Sequence, residues 1–318
     1  MMVNLPANRY QFNFVVETPL HLNFYSGSML RGAFGHALRH VSCMTKMANC
    51  KTCPLYRTCS YPAIFETPPP ENHSLQAFSD IPQPYIIEPP ALGSKDYQQG
   101  DTISFSMVII GTAIQQLPLI IYAWQRALAR GLGKMQSRAR LLDVSLVLNQ
   151  PHTERVIIYT AHEGASVINH EHLINKHSAE YPDETNQSLT LNIKTPLRIQ
   201  KNGKTLSHEM TGRDFIMSLV RRYYLLQEFH TAHYQAPDFS ELAEFAQAVS
   251  CETHFTWCDW ARYSNRQQQK MVLGGVLGEI KLTGTLKPFL PLIQLGQWLH
   301  VGNKTTFGMG RYVIMPQL

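Results

Sequence analysis

Apolar and polar residues alternate from Arg9 to Glu17, which puts Tyr10, Phe12, Phe14 and Val16 on one side. A period of two predicts a strand with one buried face, and Thr18-Pro19 ends it. Between Ser26 and His40 the spacing becomes helical: Met29, Leu30, Ala33, Phe34, Ala37 and Leu38 form an apolar stripe behind Ser28, the expected N-cap. Residues 43–100 are rich in Pro, Cys and Asn. Runs such as Pro68-Pro69-Pro70 and Pro89-Pro90 exclude regular helix, so this stretch is expected to be loop with one short strand at Tyr85–Glu88. Asp101–Gly111 then reads as a strand, Thr112–Arg130 as a long apolar-faced helix and Leu141–Leu148 as another strand.

A strand-like run at Arg155–Thr160 leads into the polar, histidine-rich segment His162–Gln187, the best candidate for a linker. Beyond it the order repeats. Ser188–Ile199 alternates as a strand, Arg213–Phe229 and Phe239–Val249 are helical, and Thr256–Tyr263 and Val276–Leu286 are strand-like. Phe289–Leu299 is a short helix and Arg311–Met315 a last strand. Strand, helix, strand, strand, helix, strand is the order of a split βαβ unit. The expected fold class is therefore α+β, with two ferredoxin-like domains in tandem over residues 1–170 and 185–318. The first would carry a four-cysteine loop as an insertion. No residue-level repeat links the halves, so the duplication rests on element order.

Composition narrows the class. With 318 residues, 44% hydrophobic and 16% charged, the chain is long enough to bury a large core and is not disordered. The apolar stretch from Met107 to Trp124 is broken by Gly111, Gln115, Gln116 and Pro118, short of the roughly 18 unbroken residues that a membrane span needs. Met1–Arg9 lacks a basic start followed by an apolar block, so the expectation is a cytoplasmic protein with no membrane partner. The formal net charge of +5 would favour polyanions only if gathered on one face. It does gather toward the end of the chain, where Glu279 is the sole acid after Arg262.

Cys43, Cys50, Cys53 and Cys59 lie in one loop and include the pair Cys50-Lys51-Thr52-Cys53. Four thiolates can close a tetrahedral shell, so a structural zinc is the favoured reading. An iron–sulfur cluster uses the same ligands and ranks below it, and four free thiols are the plain alternative. Cys251 and Cys258 read as core. The run from His300 to Arg311 is a glycine loop in which Gly302, Gly308 and Gly310 let backbone amides approach a phosphate while Lys304 and Arg311 neutralise charge. It lacks the Gly-Lys-Ser/Thr ending of a nucleotide P-loop, and a tight turn feeding an edge strand explains it equally well. Trp257, Trp260, Arg262, Tyr263, Arg266 and Lys270 mix cations with aromatics, as RNA-binding sheets do. His36 and His40 are one helical turn apart, with Tyr25 and Lys46 flanking the helix. Such imidazoles can move the protons of an RNA transesterification, or simply decorate a surface. No carboxylate cluster suggests a two-metal nuclease.

The segment Met29-Leu30-Arg31-Gly32-Ala33-Phe34-Gly35-His36-Ala37-Leu38-Arg39, the cysteine loop ending Cys53-Pro54-Leu55-Tyr56, the run Arg262–Gln267 and the loop Gly302–Gly310 resemble one family across nearly the whole chain. This is the CRISPR-associated precursor-RNA processing endoribonucleases of the RAMP superfamily. The resemblance implies tandem ferredoxin-like (RRM-like) domains, recognition of CRISPR repeat RNA, and a cut without catalytic metal that leaves a 2′,3′-cyclic phosphate and releases crRNA. It points to His40 first and His36 second as general acid or base, with a nearby tyrosine or lysine such as Tyr25 or Lys46, and to Lys46 or Lys304 where a histidine is not used. RNA contacts would come from Arg262, Arg266, Lys270, Gly302, Lys304, Gly308, Gly310 and Arg311. Subunits of a CRISPR effector complex are further expected partners, and a non-catalytic guide-holding RAMP subunit is the alternative.

Overall fold

The computed structural model describes residues 4–69, 81–148, 154–173, 188–264 and 269–316, with backbone only for 261–264 and 269–272. Arg266 and most of the candidate linker lie outside the described residues. The chain divides into two compact units.

One unit, Pro6–Asn175 with Phe229–Ala232, contains β1 (Ala7–Val16), β2 (Leu20–Leu22), α1 (Gly27–Ser42), α2 (Ser60–Phe65), β3 (Tyr85–Glu88), β4 (Lys95–Tyr97), β5 (Thr102–Ile110), α3 (Leu117–Arg130), β6 (Ala139–Val147) and β7 (Arg155–Thr160). Its sheet is antiparallel in the order β3-β5-β1-β6-β7. The first four of those strands have the ferredoxin-like arrangement, with the first strand central and β7 added at the edge. The alternation of β1 turns Tyr10, Phe12, Phe14 and Val16 into the core. Phe12 and Phe105 are paired across β1 and β5, their rings stacked with centroids 5.2 Å apart. Both helices close over this face: Trp124 of α3 lies 4.4 Å from the Phe105 ring and 5.2 Å from Phe34 of α1. Truncating so central an indole to alanine would cost about 3–5 kcal/mol. Behind the sheet, buried Arg9 donates Nε and Nη2 to the Glu88 carboxylate at 2.8 Å each.

The other unit, Met1–Leu5 with Lys176–Glu228 and His233–Leu318, contains β8 (Ser188–Leu197), β9 (Gln200–Lys201), β10 (Lys204–Thr205), α4 (Gly212–His230), α5 (Phe239–Gln247), β11 (Val249–Ser264), β12 (Gln269–Gly284), α6 (Leu290–Leu299) and β13 (Tyr312–Ile314). Its antiparallel sheet runs β11-β12-β8-β13, the same strand order again. Gly296 marks where α6 meets the sheet: a Cβ there would fall 2.1 Å from the Tyr312 hydroxyl.

Three features differ from the sequence reading. Helix α1 starts behind Ser26, not Ser28, and no side chain caps it. The cysteine-rich stretch, expected to be loop, contains α2; its Pro62 sits in the first turn, where the missing N–H has no helical partner to lose. The strands expected at 256–263 and 276–286 are one long hairpin, paired from Val249↔Gly284 to Ser264↔Gln269. β8 pairs with β12 only between Val276 and Thr283, so the outer half of the hairpin runs past its neighbour as a two-stranded arm.

Candidate functional site

The solvent face of α1 follows from its spacing. Leu30, Phe34, Ala37 and Leu38 are buried, while Gly32, His36 and His40 form an exposed stripe at four-residue steps. Both candidate histidines therefore reach solvent from one rigid helix. Lys46 is exposed just beyond the helix end in a left-handed conformation, φ 55°. Tyr25 is buried ahead of the helix.

The cysteine loop is packed onto the same helix. A Cβ at Gly35 would stand 2.3 Å from the Phe65 ring, so only glycine lets α2 come this close to α1. Arg39 donates Nη2 to the carbonyls of Met47 and Ala48, each at 2.8 Å, which folds the loop back against the helix end. Cys43 follows α1, Cys50 and Cys53 bracket a tight turn, and Cys59 precedes α2. All four line one cavity together with Arg39 and Tyr61. Burial pushes the Cys50 thiol above its ordinary value, against the opposing pull of Arg39. Among the described residues no group of three or more His, Cys, Asp or Glu side chains is placed to hold a metal ion. Cys43, Cys50, Cys53 and Cys59 thus share one cavity without being grouped into the expected tetrahedral shell.

In the other unit the glycine loop is moored to the end of β8. Thr195 donates its hydroxyl to the Gly308 carbonyl at 2.7 Å and accepts from the Arg311 amide at 2.9 Å. The Gly310 amide reaches the Pro196 carbonyl at 3.1 Å, and the Asn303 amide reaches that of Arg198 at 2.7 Å. Glycine is obligatory at 310, where φ is +73° and a Cβ would meet the Val301 carbonyl at 1.9 Å. Lys304 takes φ 62° at the exposed tip of the loop, between these moorings. Beneath the loop, Arg222 of α4 donates Nε to the Leu299 carbonyl at 2.6 Å, capping α6 with a positive charge. Burial pulls that guanidinium down to about 9, so it stays charged at neutral pH.

Arg262 and Lys270 lie on outer rungs of the hairpin arm, at Arg262↔Met271 and Tyr263↔Lys270. Sequence reasoning missed Thr195 and Arg198. Arg198 donates Nη1 to the Gly274 carbonyl at 2.8 Å, joining the base of the arm to the glycine loop.

Residues 191–312, which hold the moored loop and the hairpin, match the family model of the CRISPR-associated endoribonuclease Cas6. Residues 5–173 match a second model, described as an N-terminal domain. Over residues 191–312 the chain is similar to the Cas6 endoribonucleases. Solved Cas6 structures share its fold. Thermus thermophilus Cas6 in a product complex superposes with a TM-score of 0.57 at 17% identity, covering 98% of this chain and 99% of that one. The same protein in a second structure gives 0.54 at 15% identity, covering 99% and 100%. A partial Cas6-RT-Cas1–Cas2 complex gives 0.56 at 14% identity, covering 99% of this chain and 47% of that chain. No curated protein matches the chain in sequence. Among the described residues, no helix is long and apolar enough to cross a membrane.

Proposed function

We propose that this protein is a Cas6-type endoribonuclease that processes precursor CRISPR RNA in the cytoplasm, cutting each repeat through internal attack. The ribose 2′-hydroxyl bonds to the adjacent phosphorus while the bond to the 5′-oxygen breaks. The products carry a 2′,3′-cyclic phosphate and a 5′-hydroxyl. One imidazole accepts the 2′-hydroxyl proton and a second group returns a proton to the leaving oxygen. His40 is assigned first and His36 second, since both are exposed on one face of α1. Lys46, flanking the same helix, stabilises the negative charge of the phosphorane. Tyr25, being buried, supports the start of the helix. The observation that carries this reading is the Cas6 endoribonuclease match over the region containing the loop and the hairpin.

Repeat RNA is gripped by the Gly302–Gly310 loop with Lys304 and Arg311, by Arg262 and Lys270 on the arm, and by Arg266. Released crRNA would pass to effector-complex subunits. The direct test is incubation with a repeat stem-loop in excess chelator, followed by mass analysis of the new 3′ end. A cyclic phosphate is expected; binding without any cut would leave a guide-holding subunit instead.

A zinc ion bound by Cys43, Cys50, Cys53 and Cys59, structural in role, is a further part of this proposal. Its support is the shared cavity and the donor set. Metal analysis of the purified protein should find one zinc per chain, lowered by Cys53→Ser. Zinc-free, stable protein would remove it.

A further inference from the structure

Three of the four tryptophans are buried: Trp124 is 0%, Trp260 5% and Trp298 6% exposed. Trp257 is 47% exposed, yet it is held in place. Its Nε1–H donates to the Asp259 carboxylate at 2.8 Å. Its six-membered ring lies over the strand opposite, where a Cβ on Gly274 would fall 2.3 Å from Cζ2. A glycine at that rung gives the indole a flat seat and leaves much of the ring to water.

The carbonyl of the same Gly274 accepts from Arg198 Nη1 at 2.8 Å, and the Arg198 backbone bridges to Gly302 and accepts from Asn303. An exposed indole, a half-buried guanidinium and the glycine loop are therefore joined by direct contacts within one unit. Among the described residues Arg198 forms no ion pair, which leaves further guanidinium donors for an anion. The Asp259 carboxylate at the indole edge would repel a phosphate there, so the ring suits a neutral aromatic and Arg198 the anion.

We propose that Trp257 and Arg198 form a subsite for one unpaired nucleotide of the RNA, the base stacked on the indole and its phosphate on the guanidinium. A nucleotide inside a duplex has both base faces covered and cannot use it; an unpaired one can. The subsite rests on the reading of this protein as an RNA endonuclease and assigns two residues that the cutting chemistry does not use.

The experiment uses the full chain and two probes: a repeat stem-loop with unpaired flanking nucleotides, and the same stem without them. Fluorescence of the wild-type protein reads the site without any substitution, because Trp257 is the accessible indole. The flanked RNA should quench that fraction and shield it from acrylamide, while the bare stem should not. Trp257→Ala should weaken the flanked RNA about ten-fold or more and leave the bare stem within about two-fold, with Trp257→Phe recovering part of the loss. Arg198→Lys should lower the affinity of the flanked RNA, and Arg198→Ala should reduce the slope of log affinity against log salt by about one for that RNA alone. Unchanged fluorescence on binding, or equal losses for both probes, would overturn the subsite while leaving the endonuclease reading intact. If wild type bound neither probe, the underlying functional reading would fall first.

Discussion

Thr195→Val removes one hydroxyl and keeps the shape of the side chain. That hydroxyl makes two bonds, to the Gly308 carbonyl at 2.7 Å and from the Arg311 amide at 2.9 Å, which tie the C-terminal side of the glycine loop to β8. Gly308 is buried and Arg311 half-buried, so water replaces the lost partners poorly. At about 1–1.5 kcal/mol for each unsatisfied group, the substitution should destabilise the unit by about 2–3 kcal/mol. For a unit of this size that lowers Tm by about 6–10 °C. A loop released from its moorings must also be reordered on binding, so repeat RNA affinity should fall at least ten-fold, a tenfold change corresponding to about 1.4 kcal/mol. Thr195→Ser keeps the hydroxyl and should behave nearly as wild type. Filter binding and thermal melts on the three proteins read both quantities. A valine variant matching wild type in Tm and affinity would refute the view that this hydroxyl shapes the RNA-binding loop.

His40→Ala should slow cutting by about 100-fold or more while repeat affinity stays within a few-fold, since one neutral side chain contributes little to a phosphate-dominated interface; single-turnover cleavage beside a binding curve checks it. Glu88→Ala strands the buried guanidinium of Arg9 and should cost about 3–5 kcal/mol, whereas the double change Arg9→Met with Glu88→Leu should recover most of it in denaturant melts. Burial pushes the Tyr10 hydroxyl up to about 12, with the Asn8 hydrogen bond pulling the other way. A raised folded value favours the protonated form, so this contribution is whole below pH 10 and is lost as pH rises through about 12; Tm should drop across that window, and less so in Tyr10→Phe.

Alternation in β1 and the stripe of α1 were legible because each buried face is written in the local sequence, and element order then carried the duplicated fold. The α2 helix was hidden behind the proline-rich composition around it, since a proline in a first turn costs nothing that composition reveals. The outer hairpin was missed because Gly274-Gly275 reads as a break, while in the fold Gly274 seats the Trp257 ring from the paired strand. Thr195 and Arg198 gave no signal. A threonine and an arginine ending an alternating strand look like any solvent-side positions until strand order brings the glycine loop beside them. The cysteine spacing was read as a tetrahedral shell; in the fold the four thiols line one cavity, since spacing alone does not fix where each sulfur points.

Internal attack makes the ribose hydroxyl the nucleophile, and that is open to one chemical substitution. A repeat RNA carrying 2′-deoxyribose only at the nucleotide upstream of the cut should bind with near-normal affinity in chelator and remain whole over a time in which the all-ribose RNA is fully processed. Cleavage of the deoxy-substituted strand at the same position would contradict the account.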